Sequence, residues 1–180
     1  MSISSYKNNL RKGAANMAKN LKISESGLQL LKKVEGCKLV AYWDVNGYSI
    51  GYGHHGADVT QGMKITQKEA EDFLKKDVAK FEKAVNALKY NLNQNQFDAL
   101  VDFAYNCGAG NLKKLTADNT RTLREISGKI TAYCKANGVA LAGLVNRRRA
   151  EKALFDKPVE DPEASYIICP HCGGKIYGNS

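Results

Sequence analysis

EGCKLVAYWDVNGYSIGYGHH, residues 35–55, places a glutamate where a helix ends and an aspartate nine residues later, beside a hairpin signal. Apolar side chains recur at helical spacing up to Val34, and Gly36 is typical of the position just past a helix. Asn46-Gly47 favours a two-residue β-hairpin loop, because the type I′ turn needs positive φ at both central residues. The stretch therefore predicts a helix followed at once by a small antiparallel sheet.

The rest of the chain is predicted to be mostly helical. Apolar residues recur at helical spacing in four further segments, at about residues 66–81, 97–108, 122–130 and 141–155. Capping boxes open the helices at Thr66 and Thr122, and Gly108 is expected to end the helix that lies between them. Because the chain is 43% hydrophobic and 25% charged, it is expected to fold around a core. The predicted fold class is α+β, a mostly helical domain with one small sheet near its N-terminal end.

The charge balance favours a polyanionic partner without choosing among nucleic acid, anionic lipid and the acidic polymers of a bacterial wall. The net charge is +9, from 27 basic and 18 acidic side chains.

No apolar run approaches the ~20 residues that span a bilayer, and the first residues, MSISSYKNNLRKG, lack the apolar region of a secretory signal. We therefore expect the protein to stay in the cytoplasm where it is made unless something else releases it.

The five cysteines do not form the pattern of a disulfide framework, because their number is odd and three of them are widely scattered. This usage agrees with a reducing compartment. Cys37, Cys107 and Cys134 are expected to be small buried hydrophobic residues.

Glu35 and Asp44 are unusual acids for their positions. A carboxylate in the last turn of a helix faces the negative end of the helix dipole, a mismatch of about 0.3–1 kcal/mol. The dipole and partial burial both favour the protonated acid, which is the form that a proton donor needs. A two-residue loop at Asn46-Gly47 would set Asp44 directly opposite Ser49 on the neighbouring strand.

A protonated glutamate that faces an ionised aspartate is the arrangement by which glycosidases cleave the bond between two sugars. One acid protonates the leaving oxygen, and the other directs a water molecule or attacks the sugar itself. The alternative is that Glu35 pairs with a basic residue and that Asp44 only starts a turn, where aspartate is common. Spacing alone leaves both interpretations open.

Four blocks of the chain, taken in order, resemble the phage-type lysozymes, the muramidase endolysins. The blocks lie within about residues 23–156 and read EGCKLVAYWDVNGYSIGYGHH, GMKITQKEAEDFLKKD, LNQNQFDALVDFAYNCGAGN and GLVNRRRAEKALF. The catalytic pattern of that family is a glutamate, eight residues, an aspartate, five residues and a threonine. Glu35 and Asp44 keep the first spacing, whereas Ser49 follows after four residues, so the turn is one residue shorter and the hydroxyl lacks its methyl group.

The resemblance implies a lysozyme-like fold and a role for each of these three residues. Glu35 would be the general acid, Asp44 the carboxylate that positions or activates water, and Ser49 a helper that holds this water. Hydrolysis would invert the anomeric carbon and cut the β-1,4 bond between N-acetylmuramic acid and N-acetylglucosamine in peptidoglycan. Catalysis would require no cofactor.

The resemblance also assigns positions around the site. His55 matches a residue that lines the sugar cleft, and Tyr105 and Asn106 match its opposite lip, although an aromatic residue at position 105 is equally typical of a core. Arg147 matches an arginine that pairs with the catalytic glutamate. His54 is expected to be structural, bonded to a nearby acid or to the backbone.

Three other functions compete with a muramidase. A lytic transglycosylase would leave an anhydro-muramyl product and can work with the glutamate alone, so the presence of Asp44 and Ser49 counts against it. A non-catalytic glycan-binding module is disfavoured by the two carboxylates and favoured by the shortened turn. Nucleic-acid binding rests on charge alone, because Arg147, Arg148 and Arg149 would fan out over about 200° of a helix rather than form one patch.

The predicted lysozyme-like catalytic domain covers residues 23–157 and has a short extension on each side. Residues 1–22 combine basic side chains with apolar ones at near-helical spacing. This pattern fits a basic amphipathic helix that touches membrane or wall, a helix packed on its own domain, or a tail. Residues 158–180 begin with a linker that contains proline and acidic residues and end in a tail with Cys169 and Cys172.

The tail resembles the first knuckle of a zinc ribbon, although a ribbon has two knuckles. Three interpretations remain open. Cys169 and Cys172 hold zinc together with a second chain in a dimer, or they hold zinc together with His171 or another residue of the same chain, or the tail is a mobile segment with two exposed thiols.

The expected partner is bacterial peptidoglycan rather than nucleic acid. Because the sequence shows no transmembrane segment, release by a separate holin-type pore is implied by analogy. We expect the protein in the cytoplasm of the bacterial host until lysis and at the cell wall afterwards.

Overall fold

The computed structural model describes residues 20–159 and the backbone of two short strands in the C-terminal tail. Within these residues it has five helices, α1 (Glu25–Glu35), α2 (Gln67–Asn86), α3 (Gln94–Thr116), α4 (Leu123–Ile130) and α5 (Ala142–Asp156). One antiparallel sheet has the order β1-β2-β3 and consists of β1 (Lys38–Asp44), β2 (Gly47–Gly51) and β3 (His54–His55). Two hairpins pair β4 (Lys135–Ala136) with β5 (Val139–Ala140), and β6 (Tyr166–Ile168) with β7 (Lys175–Tyr177). The predicted α+β class is confirmed.

Several predicted features lie outside the described residues. They include residues 1–19 of the basic N-terminal segment and, in the tail, Cys169, His171 and Cys172. β6 and β7 flank the segment that holds these three residues and pair antiparallel, with Ile167 opposite Ile176.

Local capping signals set the starts of the helices. The side chains of Thr66 and Thr122 accept hydrogen bonds from the third backbone N–H of α2 and α4, and a glutamate there bonds back, so both predicted capping boxes are confirmed. Asn93 and Gln96 form the same arrangement at the start of α3. α1 ends before Gly36, whose φ of 67° is readily adopted by glycine.

α3 is the central helix and packs against the other four. Its first helical segment ends at Gly108, as the sequence predicted, whereas the second segment was not predicted. Gly108 has φ of 82° and ψ of 158°, which bend the helix, but the helix resumes beyond it and runs to Thr116. Leu112 and Leu115 in the second segment are buried. The apolar residues of this segment pack into the same core as those before the glycine. This packing explains why a second helical segment follows Gly108 directly.

One core joins the helices to the sheet. Apolar side chains that are at most 1% exposed come from four helices and from the sheet, and they include Leu31, Ile50, Leu74, Phe103 and Ile126. Leu31 lies one helical turn before Glu35 on α1, and Ile50 is the neighbour of Ser49 on β2. The packing of the core therefore fixes both the end of α1 and the hairpin, which carry the candidate acids.

The hairpin between β1 and β2 is present, but its register differs from the predicted one. Asp44, expected opposite Ser49, pairs instead with Gly47, and Ser49 lies opposite Tyr42. Because side chains alternate between faces along a strand, Asp44 and Tyr42 lie on the same face, which Ser49 shares. Asp44 and Ser49 therefore remain neighbours, but across a diagonal.

The register differs because the loop is not a type I′ turn. The loop residues are Val45 and Asn46, and neither has positive φ. Gly47 is instead the first residue of β2, where a Cβ atom would lie 3.0 Å from Cε1 of His55 on β3. The glycine therefore makes room for a third strand, which local sequence does not reveal.

A second Asn-Gly pair forms the turn that the first does not. Asn137 and Gly138 connect β4 to β5 and have φ of 50° and 81°, the positive values that a type I′ turn requires. This hairpin was absent from the predicted elements.

The three scattered cysteines are not buried hydrophobic residues, contrary to the prediction. Cys37 is exposed, whereas Cys107 and Cys134 are partly exposed. Cys37 lies at the surface directly after the helix-ending Gly36. Cys107 packs against the core, and its thiol also accepts a hydrogen bond from the guanidinium of Arg148.

Candidate active site

Glu35 is the last residue of α1, and its carboxylate is held by a residue from the last helix of the domain. Arg147 of α5 donates from Nη1 to Oε1 of Glu35 at 2.5 Å. The Glu35 side chain is 20% exposed and that of Arg147 is 6% exposed. A Cβ atom on Gly53, in the turn between β2 and β3, would lie 4.0 Å from Oε2 of Glu35. The expected pairing of Glu35 and Arg147 is therefore present, and the second carboxylate oxygen faces the sheet.

Behind Glu35 lies a buried ionic cluster of four residues: Asp102, Arg147, Arg148 and Glu151. Arg147 donates from Nη2 to Oδ1 of Asp102 and from Nε to Oε1 of Glu151, the latter at 3.3 Å. Arg148 donates to the same Glu151 oxygen at 2.5 Å. All four residues are at most 6% exposed. Oδ2 of Asp102, Nε of Arg148 and Oε2 of Glu151 have no hydrogen-bond partner among the described residues.

Burial controls protonation in the buried ionic cluster. Burial and then the charge of Asp102 raise the pKa of Glu151 to about 8, although both arginines oppose this rise. Burial also raises the pKa of Asp102. Burial therefore favours the protonated form of both acids. The sequence interpretation missed the cluster, whose signals are an acid within the apolar run ALVDFAY and arginine–glutamate pairs three and four residues apart on α5.

Asp44 and Ser49 form the side of the site that lies on the hairpin. Asp44 is exposed at the end of β1, and its Oδ1 accepts a hydrogen bond from the backbone N–H of Val45 at 2.8 Å. The hydroxyl of Ser49 donates to Oδ2 of Asp44 at 3.5 Å. Ser49 is only 1% exposed, so it supports Asp44 from within the sheet.

His55 lies directly beside Ser49 on the neighbouring strand. The two residues pair across β2 and β3, and Nδ1 of His55 is 3.2 Å from Oγ of Ser49. His55 is exposed and lines an open depression of about 210 Å³ together with Asp44, Val45 and Asn46. His55 and Asp44 thus share one surface, while contact of His55 with a sugar stays a prediction.

Tyr42 is a site residue that the sequence interpretation missed. It lies opposite Ser49 and two residues before Asp44, on the same face of β1. Burial, then the charge of Asp44 and also that of Glu35, raise the pKa of its hydroxyl. The side chain therefore lies within electrostatic reach of both carboxylates. The two-residue period of a strand was the signal that places positions 42 and 44 together.

His54 is held between two acids, as expected of a structural residue. Its Nδ1 is 2.8 Å from Oδ2 of Asp77, and its Nε2 is 3.2 Å from Oδ2 of Asp58. The imidazole stacks on Phe73 with ring centroids 4.3 Å apart. Burial alone would lower the pKa of His54, but the two carboxylates outweigh burial and raise it. Both ring nitrogens are therefore engaged within the protein.

Tyr105 and Asn106 lie where α3 approaches its bend. The hydroxyl of Tyr105 donates to the backbone carbonyl of Tyr52 at 2.9 Å, and its ring packs edge-on against Phe81. Burial raises the pKa of Tyr105. Asn106 is exposed, but its Oδ1 accepts a hydrogen bond from Nη2 of Arg148 at 3.0 Å. Both residues thus have structural partners, and their contact with substrate stays a prediction.

A helical body with one small sheet, a glutamate at the end of the first helix and an aspartate on the hairpin define a lysozyme-like protein. The family model for phage lysozyme matches residues 32–151, more than half of the chain. The chain belongs to the phage lysozyme family.

Individual relatives agree with this assignment. The endolysin of Bacillus phage PZA is 44% identical over 143 residues, which are 76% of this chain and 55% of that relative. The chain thus spans little more than half the length of this relative. Among solved structures, the muramidase domain of SpmX from Asticaccaulis excentricus has a TM-score of 0.70 and 33% identity, over 76% of this chain and 99% of that one. The endolysin from Escherichia coli O157:H7 phage FAHEc1 has a TM-score of 0.66 and 36% identity, over 78% and 97% of the two chains.

Within the described residues, no group of three or more histidine, cysteine, aspartate or glutamate side chains is placed to hold a metal ion. Cys169 and Cys172 lie outside the described residues. None of the helices in the described part of the chain is long and apolar enough to cross a membrane.

Proposed function

We propose that the protein is an endolysin that hydrolyses the β-1,4 bond between N-acetylmuramic acid and N-acetylglucosamine in bacterial peptidoglycan. The proposal rests on the pair of carboxylates at Glu35 and Asp44, which come from different elements. The charges of both carboxylates raise the pKa of Tyr42, which lies opposite Ser49 and on the same face of β1 as Asp44. Membership of the phage lysozyme family supports it, as do the names endolysin and muramidase among the similar proteins.

The two carboxylates divide the chemistry between them. Glu35 donates its proton to the glycosidic oxygen while the bond from this oxygen to the anomeric carbon breaks. Water attacks the anomeric carbon from the opposite face, and Asp44 accepts the proton that the water releases. The products are a muramic acid reducing end with inverted configuration and an N-acetylglucosamine with a new hydroxyl group. Proton exchange with solvent restores both carboxyl groups.

Arg147 acts as a positioning residue for Glu35. It contacts the carboxylate directly, and Asp102 and Glu151 hold the guanidinium in turn. Buried, hydrogen-bonded residues therefore fix the position of the Glu35 side chain. Glu35 can then reach the glycosidic oxygen without a large rearrangement of its own side chain.

The sugar-binding candidates differ in what they offer a substrate. His55 and Asn106 are exposed and present polar atoms. Tyr105 is half-buried, and its hydroxyl is bonded to a backbone carbonyl, so the ring edge or face would be the part that contacts a sugar.

The competing functions lose support at specific residues. A lytic transglycosylase does not need the Asp44–Ser49 pair that this hairpin preserves. Nucleic-acid binding relied on Arg147, Arg148 and Arg149, but the first two are buried and paired with acids. A glycan-binding module without catalysis remains an outcome of the experiment below.

Digestion of purified peptidoglycan, with mass spectrometry of the products, tests the proposal. We expect reducing-end muramic acid from the wild type and none from Glu35→Gln, whose melting temperature should stay near that of the wild type. Glu25→Gln, an exposed change at the other end of α1, is the matched control and should retain full activity. Anhydro-muramyl ends would mean transglycosylase chemistry, cleavage by Glu35→Gln would remove Glu35 from the mechanism, and no cleavage by the wild type would leave a binding module.

The wider setting follows from the same proposal. The protein would accumulate in the cytoplasm of its bacterial host, reach the wall when a separate holin-type protein opens the membrane, and bind there with help from its charge of +9. Residues 1–22 and 158–180 would be extensions of the catalytic domain at residues 23–157.

A further inference from the structure

Three polar side chains of the hairpin sheet form one continuous line: Asp44 on β1, Ser49 on β2 and His55 on β3. Oγ of Ser49 lies 3.5 Å from Oδ2 of Asp44 and 3.2 Å from Nδ1 of His55. Ser49 is 1% exposed, so its hydroxyl depends on protein neighbours rather than on solvent, and Tyr42 on the opposite strand is a further hydrogen-bond partner.

The numbers of donors and acceptors determine which residue donates in each of these two hydrogen bonds. An ionised carboxylate can only accept, and the serine hydroxyl has a single proton to donate. Both contacts are hydrogen bonds only if Ser49 donates to Asp44 and Nδ1–H of His55 donates to Ser49. In the reverse arrangement, with Ser49 donating to His55, lone pairs of Ser49 would face those of Asp44.

We propose that His55 is a positioning residue, which holds the Ser49 hydroxyl by donation from Nδ1 so that Ser49 in turn holds the Asp44 carboxylate toward the cleft. This inference rests on the proposed hydrolase function. Asp44 is exposed at the end of its strand, where its backbone-bound Oδ1 and Ser49-bound Oδ2 together fix the orientation of the carboxylate.

A serine at position 49 needs such a partner more than a threonine does. Serine lacks the second substituent on Cβ that restricts χ1 of a threonine, so its hydroxyl turns among more rotamers. The fold makes space for the partner at Gly47, because a Cβ atom there would lie 3.0 Å from Cε1 of His55.

Kinetics with soluble glycan strands test the inference in two backgrounds, wild type and Ser49→Thr. We expect His55→Ala to lower kcat about tenfold, in line with misplacement of a catalytic group, while KM changes less than about twofold. His55→Asn places an amide near the position of Nδ1 and should restore most of kcat, whereas His55→Gln, which reaches the position of Nε2, should not. In Ser49→Thr the loss caused by His55→Ala should shrink to about twofold or less, because threonine restricts its own χ1.

Glu25→Gln is the control, because Glu25 is exposed at the other end of α1 and lies outside the depression that His55 lines. It should leave kcat unchanged. A rise in KM at constant kcat in His55→Ala would overturn the inference in favour of sugar contact, and so would equal rates for the Ala, Asn and Gln variants.

The tautomer of His55 gives a second test that needs no activity. Nitrogen-15 NMR at a pH where the imidazole is neutral should find the proton of His55 on Nδ1, with the resonance assigned by its loss in His55→Ala. A proton on Nε2 would overturn the inference. This test does not depend on the folding of Ser49→Thr. If the wild type carries the proton on Nδ1 but is inactive, the result contradicts the proposed function and not the inference about His55.

Discussion

Glu151 shows how one residue ties the stability of the domain to pH. It lies buried against both guanidiniums of the buried ionic cluster, and Asp102 shares the guanidinium of Arg147 with it. Burial and the charge of Asp102 raise its pKa from 4.5 to about 8. Folding therefore takes up a proton at Glu151 between these two values, and each unit of the shift corresponds to about 1.4 kcal/mol.

The sign of the effect follows from linkage. Because the folded pKa of Glu151 exceeds the unfolded value, its contribution is fully present below about pH 4.5 and is lost as pH rises through about 8. We expect the free energy of unfolding to fall between about pH 5 and about pH 8 and to fall less steeply in Glu151→Gln. Urea denaturation across this range measures both slopes, with Glu25→Gln as the control. Equal slopes in Glu151→Gln and the wild type would contradict the assigned protonation.

At the scale of the elements, α3 depends on a single glycine for its bend. Gly108 combines φ of 82° with ψ of 158°, a region that is essentially reserved for glycine. The bend follows Asn106 and Cys107, which both contact Arg148 of the buried ionic cluster, so it lies close to the support of Glu35.

Gly108 and Gly110 form a matched pair of positions for testing the bend of α3. No atom lies within 4 Å of a Cβ built on Gly108 or on Gly110, but only Gly108 has positive φ. Gly108→Ala should lower the free energy of unfolding by about 1–3 kcal/mol through backbone strain, whereas Gly110→Ala should raise it by about 0.5–1 kcal/mol through helix propensity. Chemical denaturation measures the free energy of unfolding of both variants. An increase in Gly108→Ala would mean that the bend is not required.

The elements also show what could be predicted from sequence. The capping boxes at Thr66 and Thr122 were predictable because all their partners lie within four residues. The register of the β1–β2 hairpin was not, because the space that Gly47 provides is filled by His55 from a third strand. The spacing of Glu35 and Asp44 suggested a catalytic pair but also fitted a surface turn, so the family resemblance was needed to choose between these interpretations. Arg147 came from the resemblance alone. Asp102 was missed because the acid within the apolar run ALVDFAY does not reveal its partner Arg147, which lies 45 positions away in the chain.

At the scale of the whole molecule, the C-terminal tail carries the prediction of a zinc site at Cys169 and Cys172, which lie outside the described residues. β6 and β7 pair as a hairpin on either side of the segment with Cys169 and Cys172. We propose that the two thiolates of each chain share a zinc ion with those of a second chain.

Metal content and oligomeric state should then change together. Protein purified under reducing conditions without chelator should contain about one zinc ion per two chains and migrate as a dimer, and Cys169→Ser should lose both properties. Elemental analysis and light scattering on the same sample measure them, and Cys37→Ser, at an exposed cysteine, is the control. Zinc-free monomer would leave only the interpretation of two reactive thiols.

The contact between Glu35 and Arg147 joins residues that are 112 positions apart in the chain. A ribosome that has completed the sheet and the first four helices has therefore made the acid but not the residue that holds it. The support of the site assembles only when the final helix emerges, and this contact must form over a long sequence separation. If Arg147 positions Glu35 as proposed, a nascent chain gains a competent site only after residue 147 has been synthesised.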